Sequence, residues 1–474
     1  MTPTDSMTAN PGSAYQEIAT SQRARAVELM GPAVERLRWS RAQLDAYRTE
    51  QLRALLAHAS AHSAWHRRRL AGADLEAVTP DNLGSIPPMT KADLMEHWDD
   101  IVTNDALSLA ECRSHVQRLK EGPAYLHDRY HVFTTGGSTG EPAVFVYDWD
   151  EWPSVLVSSL RWGMAFGGSD AAPQSVAFLG ARHAHHMTAA GPMTFSDASV
   201  QPMFTVPLDQ PTAAVIDALN ELQPEGLQLF PSYLPILIEA AESGRLGLHL
   251  KSISTGGDRL LPEVAAHAER VLGARPVESY PCVDVGLIAC GLPGVDGMFI
   301  NEDMLIVEPV DEDDQPVPPG TLSHHVLITS FAYPLLPRIR YRLEDRIMVV
   351  EPHGEGPLGT FARVAQVDGR SDDLFRYNTV VVHPHVFRSA IARVPSVREY
   401  QVRQTARGAD VLVAGGSDDD RRLLAERLIA ALTALDLPEV EVTVTAVEGF
   451  ERTAIGKHKL FVPQPPQSTS IDTQ

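Results

Sequence analysis

Apolar residues recur at helical spacing from residue 15 to about 70, with Leu52, Leu55, Leu56 and His58 on one side. That spacing predicts packing helices. Further along, 149–166 reads as a helix, 175–180 as a short buried strand, 227–230 as a strand and 231–241 as a helix. At 252–258 and again at 277–286 a short apolar strand runs into small or acidic residues, the place where open α/β sheets hold ligands. Repeated strand–helix alternation predicts an α/β architecture. From 299 to 350 the pattern becomes strand-rich, with an acidic, proline-containing hairpin turn at 311–320, which predicts a β subdomain. The charged, glycine-containing run 366–375 reads as a linker. Beyond it strand and helix patterns alternate again, and 418–435 is helical with apolar positions at Leu423, Leu424, Leu428 and Leu432. The expected organisation is a disordered start at 1–14, a large multi-subdomain α/β domain with a β subdomain at 15–368, and a hinge at 369–373. A small mobile α+β domain at 374–464 and a disordered Pro/Ser/Thr/Gln-rich tail at 465–474 complete it.

Charge narrows the partners. With 40 basic and 61 acidic residues the net charge is -21, which speaks against nucleic acid or an anionic membrane and for small-molecule substrates. A nucleotide site on such a chain has to bring its own cations. The three cysteines, Cys112, Cys282 and Cys290, show no Cys-x-x-Cys spacing, so neither a disulfide framework nor a zinc knuckle is indicated. The polar start lacks an apolar export core and no run of 18 apolar residues occurs, so a cytoplasmic protein is expected.

The stretch richest in chemistry is His131-Val132-Phe133-Thr134-Thr135-Gly136-Gly137-Ser138-Thr139-Gly140-Glu141-Pro142. A β-prone approach turns into glycines and hydroxyl residues, so backbone amides can crowd round an anion while hydroxyls add donors. This pattern suits a polyphosphate cradle. It lacks the Gly-Lys-Ser/Thr ending of a Walker loop and the Gly-x-Gly-x-x-Gly of a dinucleotide fold. Read alone, it is equally a flexible surface turn. The proline-bounded segment 86–94, with Thr90 placed to cap a helix, reads by itself as structural. His183, His185 and His186 fall within four residues, but no carboxylate or cysteine stands at ligand spacing, so they read as a polar loop or the wall of a substrate pocket rather than a metal site. Tyr233 is a further candidate for that wall.

Read together, these segments resemble the adenylate-forming superfamily of acyl-CoA synthetases, nonribosomal peptide adenylation domains and luciferases, nearest its phenylacetate-CoA ligase-like branch. The glycine loop is similar to Thr-Ser-Gly-Ser-Thr-Gly-x-Pro, and Ile86 to Leu94 to Leu-Pro-x-x-Thr-Lys-x-Asp-Leu. Ser254 to Asp258 resembles the adenine-side turn, and Tyr280 to Gly286 the Tyr-Gly-x-Thr/Ser-Glu-x-Gly block. Arg340 to Asp345 resembles Arg-Tyr-Arg-Thr-Gly-Asp, Gly369 to Asp373 the hinge, and Arg452 to Lys457 the carboxy-terminal Gly-Lys. The chain departs from the pattern at Pro281, at Val283-Asp284 in place of Thr-Glu, at Leu343-Glu344 in place of Thr-Gly, and at Glu141 in place of Lys.

The resemblance implies an AMP-forming ligase that uses ATP and Mg²⁺ to activate an aromatic or hydrophobic carboxylate and pass it to CoA. It implies that Thr135, Gly136, Gly137, Ser138, Thr139 and Gly140 hold phosphates and that Asp284 holds magnesium. Gly256, Gly257, Asp258 and Tyr280 would frame the adenine, Asp345 would take the ribose hydroxyls, Arg370 would add a donor to them or to the α-phosphate side, Lys457 would act at the α-phosphate, and Asp372 would be the pivot. The branch also resembles ATP-dependent diazotases, which activate nitrite and couple it to an aryl amine. A non-catalytic nucleotide-binding regulator is the remaining alternative.

Overall fold

A nine-stranded sheet organises the larger of two compact units. The structure, a computed structural model, describes residues 13–135, 142–166, 175–197, 201–208, 210–352, 357–370, 374–377, 380–382, 384–391, 393–394, 396–435, 437, 439–450 and 459–464. Described residues up to Val367 form one unit and those from Asp368 onward the other. In the first unit a two-stranded antiparallel hairpin, β1 (His131–Thr134) and β2 (Val144–Tyr147), is buried along its whole length.

Then come β3 (Val176–Gly180), β4 (Met203–Pro207), β5 (Gly226–Leu229), β6 (Ser252–Gly256) and β7 (Pro276–Cys282), which run parallel. Helices Met187–Phe195, Thr212–Leu222, Leu234–Glu242 and Pro262–Leu272 connect them. This is the strand–helix alternation expected from the sequence, and the crossover helices bury Val215, Leu219, Leu234, Leu237 and Ala268 against the strands. Next, β8 (Gly286–Gly291) pairs antiparallel with β7, and β9 (Met298–Ile300) pairs antiparallel with β8. A separate three-stranded antiparallel sheet holds β10 (Leu305–Val310), β11 (His325–Ser330) and β12 (Arg338–Leu343). The main sheet closes with β13 (Asp345–Val350) and β14 (Arg363–Arg370), in the order β13-β14-β9-β8-β7-β6-β5-β3-β4.

The topology has one functional consequence. The first parallel strand, β3, has β4 on one side and β5 on the other, so the winding direction reverses there. A crevice opens outside the carboxyl ends of the strands at such a switch point.

Three local expectations can be compared with the outcome. Thr90 caps helix Lys91–Glu96 through a capping box with Asp93. The turn after β10 is held by Asp311, whose carboxylate accepts from the Asp313 and Gln315 amides. The run read as a linker from 366 is instead strand as far as Arg370, because the alternation of buried Val364 and exposed Ala365 lets it pair with β9.

In the second unit β15 (Phe375–Tyr377) pairs with β16 (Val380–Val382). A four-stranded sheet combines β17 (Val397–Thr405), β18 (Gly408–Gly415), β19 (Glu441–Ala446) and β20 (Phe461–Val462) in the order β19-β18-β17-β20. Helix Asp418–Thr433, capped by Ser417, buries Leu424, Leu428 and Leu432 in that unit's core. Leu423 does not join them: it is 40% exposed, one position off the i, i+4 stripe that the other three occupy.

Candidate active site

The crevice at the switch point holds a cavity of ≈ 150 Å³. Its walls come from the carboxyl ends of β3 (Phe178, Leu179), β5 (Gln228, Leu229 and the following Phe230), β6 (Gly256, then Gly257) and β7 (Pro281, Cys282, then Val283). Thr134 of β1 and His186, Met187 and Thr188 at the start of helix Met187–Phe195 complete them. Gly256 is required by packing: a Cβ there would sit 2.7 Å from the Ser279 hydroxyl oxygen and 2.8 Å from Cδ of Pro281. Pro281 lies where the β7–β8 register shifts, so the missing amide hydrogen costs the ladder little.

Beside the cavity two carboxylates are each held by a tyrosine from another strand. Tyr280 donates to Asp345 at 2.9 Å, and Tyr341 of β12 donates to Asp284 at 2.6 Å. Burial pushes the Tyr341 phenol well above its ordinary pKa, so it stays a neutral donor. The turn carrying Asp284 is fixed from below. Tyr147 donates to the Val283 carbonyl at 2.7 Å, and Gly286, at φ +87°, leaves room for the Tyr333 ring, which a Cβ would approach to 2.5 Å. The Arg338 guanidinium lies against both rings, 5.5 Å from the Tyr147 centroid and 5.6 Å from that of Tyr333.

The β1–β2 hairpin brings a third group. The Thr135 amide donates to the Ala143 carbonyl, and the Thr135 hydroxyl accepts from the Ala143 amide and, at 3.1 Å, from the Lys91 ammonium. Residues Gly136, Gly137, Ser138, Thr139 and Gly140 lie outside the described residues. Lys91 was missed by the residue-level reading of 86–94, which took that segment as structural; the signal that could have found it is the Thr-Lys pair of the resembling segment.

The three histidines form a stack rather than a ligand set. Ring centroids of His185 and His186 are 4.1 Å apart, those of His183 and His185 5.8 Å. Burial first, and neighbouring histidines second, hold His185 down at about 3; burial holds His186 at about 4 against a hydrogen bond to the Thr134 backbone. Both are therefore neutral imidazoles at ordinary pH. Among the described residues no three His, Cys, Asp or Glu side chains converge as a metal site. Of the three, His186 alone is among the residues lining the cavity.

No family model matches the chain. The phenylacetate-coenzyme A ligase of Escherichia coli (strain K12) is 26% identical over 389 residues, covering 77% of this chain and 80% of that protein. The phenylacetate-coenzyme A ligase of Aromatoleum evansii is 23% identical over 455 residues, 90% of this chain and 96% of its own length. This chain is thus similar to phenylacetate-CoA ligases over most of its length. A solved 2-hydroxyisobutyryl-CoA ligase in the postadenylation state, in complex with an acyl-AMP, shares the fold at a TM-score of 0.71 and 20% identity, over 90% of this chain and 91% of that one. The fold is thus that of the adenylate-forming ligases.

On this ligase fold the structure gathers some of the residues named from the sequence and leaves others elsewhere. Gly256 and Gly257 line the cavity, Tyr280 and Asp345 meet beside it, and Asp284 follows directly on Val283 of its wall. Asp258 accepts from the Ser232 hydroxyl at 2.8 Å. Tyr233 is buried in the core formed by the crossover helices and is not among the cavity-lining residues. Arg370 ends β14, while Asp372 and Lys457 lie outside the described residues. Burial disfavours the thiolate at all three cysteines: it raises Cys112 to about 12 and Cys290 to about 11, and pushes Cys282 well up. No described helix is long and apolar enough to cross a membrane.

Proposed function

We propose that this protein is an ATP-dependent, AMP-forming ligase that activates an aromatic or hydrophobic carboxylate as an acyl-adenylate and transfers the acyl group to CoA. The observation that carries this reading is the placement, at one switch point, of an acid-sized cavity next to two tyrosine-held carboxylates and the start of a glycine loop, in a chain similar to CoA ligases. An oxygen of the substrate carboxylate bonds to the α-phosphorus as the bond to the bridging oxygen breaks and pyrophosphate leaves. The CoA thiolate then attacks the acyl carbonyl, and AMP departs.

The barrier of the first step is charge repulsion and orientation, so the protein has to supply placed donors and cations. We assign Thr135, Gly136, Gly137, Ser138, Thr139 and Gly140 to the β- and γ-phosphates, with Lys91 as the cation at the mouth of that loop. Gly256, Gly257, Asp258 and Tyr280 are assigned to the adenine side, Asp345 to the ribose hydroxyls and Arg370 to the same side. Lys457 is assigned to the charge that develops at the α-phosphate, and Asp372 to the pivot between the two half-reactions. A carboxylate with a tyrosine on one oxygen suits Mg²⁺, which takes one or two carboxylates plus phosphate oxygens. Asp284 would hold that ion, and the ion when bound would neutralise phosphate charge.

The relatives named above are CoA ligases, and none of them is named for nitrite chemistry, so CoA is the acceptor in this reading. The test is release of AMP and pyrophosphate across aryl, aminoaryl and aliphatic acids, each with CoA or with nitrite. Acyl-CoA formation with an aryl acid is expected. AMP formed only with nitrite plus an aminoaryl acid would replace CoA transfer by diazotisation, and no AMP under any condition would leave the regulator reading.

A further inference from the structure

The cavity has a size and a pattern of polar groups that say more about the acid than the fold does. A volume of ≈ 150 Å³ is about that of an engineered apolar cavity that takes up one benzene molecule. Phe178, Leu179, Leu229 and Phe230 give it walls suited to a ring. Two polar side chains interrupt those walls. Gln228 sits on β5 beside Phe178 of β3, and its side-chain amide takes no hydrogen bond from any described residue. His186 is buried, and its ring is hydrogen-bonded to the Thr134 backbone, which commits one nitrogen as donor. In a neutral imidazole the other nitrogen is then an acceptor only. A third polar wall residue, Thr188, already accepts from the Ala181 amide.

We propose that the cavity selects single-ring aromatic acids whose ring bears a hydrogen-bond donor, a hydroxyl or an amine, read by Gln228 and His186. The donor matches the free imidazole nitrogen and the carbonyl of the Gln228 amide; a hydroxyl or amine can also accept from that amide's NH₂. A methyl group of similar size would fill the same space and leave both wall groups without a partner. Sites built to bond a substrate hydroxyl or amine therefore reject the analogue lacking it far more strongly than an apolar pocket rejects a methyl group. This inference rests on the ligase reading for the acid end of the ligand, and on the cavity alone for the ring.

The experiment uses the full chain with benzoate and phenylacetate, each unsubstituted or carrying a hydroxyl, amino or methyl group. Binding is measured by calorimetry and activation by pyrophosphate release. The hydroxyl or amino acids should be preferred over their methyl counterparts by about a hundredfold or more in kcat/KM. That preference should fall at least about tenfold in Gln228→Leu and in Gln228→Met, two substitutions of similar volume read side by side in case one fails to fold. Equal use of methyl and hydroxyl acids by the parent, or an unchanged preference in a folded Gln228 variant, would overturn the inference while the ligase reading stood. Donor-bearing acids that bind in a Gln228-dependent way without any pyrophosphate release would sustain the inference and sink the ligase reading. If no ring acid bound or reacted, both would fall.

Discussion

The two sides of the candidate site are built in opposite ways. On the acid side, strand ends of a parallel sheet enclose a small cavity whose shape comes from Phe178, Leu229 and Pro281, and whose His186 is kept neutral by burial. On the nucleotide side, the carboxylates of Asp284 and Asp345 are each aimed by a phenol, and Lys91 reaches the hydroxyl of Thr135. The first side works by excluding water and fitting a ring. The second works by orienting charge before substrate arrives, which is where preorganisation lowers a barrier most. Substitutions on the first side should therefore change which acid is used and how well it binds, and those on the second should change turnover and metal dependence.

The largest effect is expected at Lys457, which lies outside the described residues. Lys457→Ala should slow pyrophosphate release about a hundred- to a thousandfold while ATP affinity changes little, because its charge counts chiefly in the transition state. Parent-like release in that variant, with Lys459→Ala inactive, would move the assignment by two residues. Loss of Asp284 comes next: Asp284→Ala should raise the Mg²⁺ requirement sharply and Asp284→Glu should be tolerated. Tyr341→Phe should weaken Mg²⁺ affinity, and so raise the Mg²⁺ requirement, by roughly tenfold, as loss of a partner behind a metal ligand does. If Tyr341→Phe left a magnesium titration unmoved, the phenol would be packing rather than aiming the carboxylate.

On the acid side, stability carries a pH signature. His186 is held at about 4 and His185 at about 3 in the folded protein, against 6.5 ordinarily, so the unfolded chain takes up protons first as pH falls. The stability from these groups is complete above pH 6.5 and drains away as pH drops towards 4, by roughly 3 kcal/mol for His186 alone at about 1.4 kcal/mol per unit. Urea titrations from pH 7 to 4.5 should show that slope, and His186→Gln should reduce it, the rest coming from His185 and from the buried His66 and His131, which are also held low; an unchanged slope in His186→Gln would mean the ring is charged or exposed.

Gly256→Ala is expected to cost about 1–3 kcal/mol by overpacking against Ser279 and Pro281, and, because Gly256 lines the cavity and is assigned to the adenine side, to raise KM for both the acid and ATP. A rise for the acid alone would take Gly256 off the adenine side. The smallest effect belongs to Lys91→Ala, since an exposed ammonium is screened: a few-fold increase in KM for ATP, larger at low ionic strength, is the expected result. No dependence on salt would argue against a phosphate contact.

The elements nearest the site show what periodicity could and could not give. Four of the five parallel strands were legible because buried β-prone runs alternate with amphipathic helices, and the ends of β6 and β7 stood out by their small and acidic residues; β4 (Met203–Pro207) was not among those read. The helix at 418–433 was legible too, though Leu423 was read onto its buried stripe when the stripe follows Leu424, Leu428 and Leu432. Tyr341 had no local signal as a partner of Asp284, since 57 residues separate them. Gln228 had none either: a glutamine in an apolar strand looks the same whether it faces a cavity or a neighbour.

By itself, then, the sequence determined the α/β class, the family likeness and the ordered set of motifs, because these depend on local propensity, spacing and residue type along the chain. Tertiary structure alone decided which of those residues meet. The reversal of winding at β3 sets the crevice, the register shift at Pro281 and the missing side chain at Gly256 shape it, and strands distant in sequence supply the phenols that aim its carboxylates. Such contacts join residues across strands and sheets, where no periodic pattern in the chain records a distance.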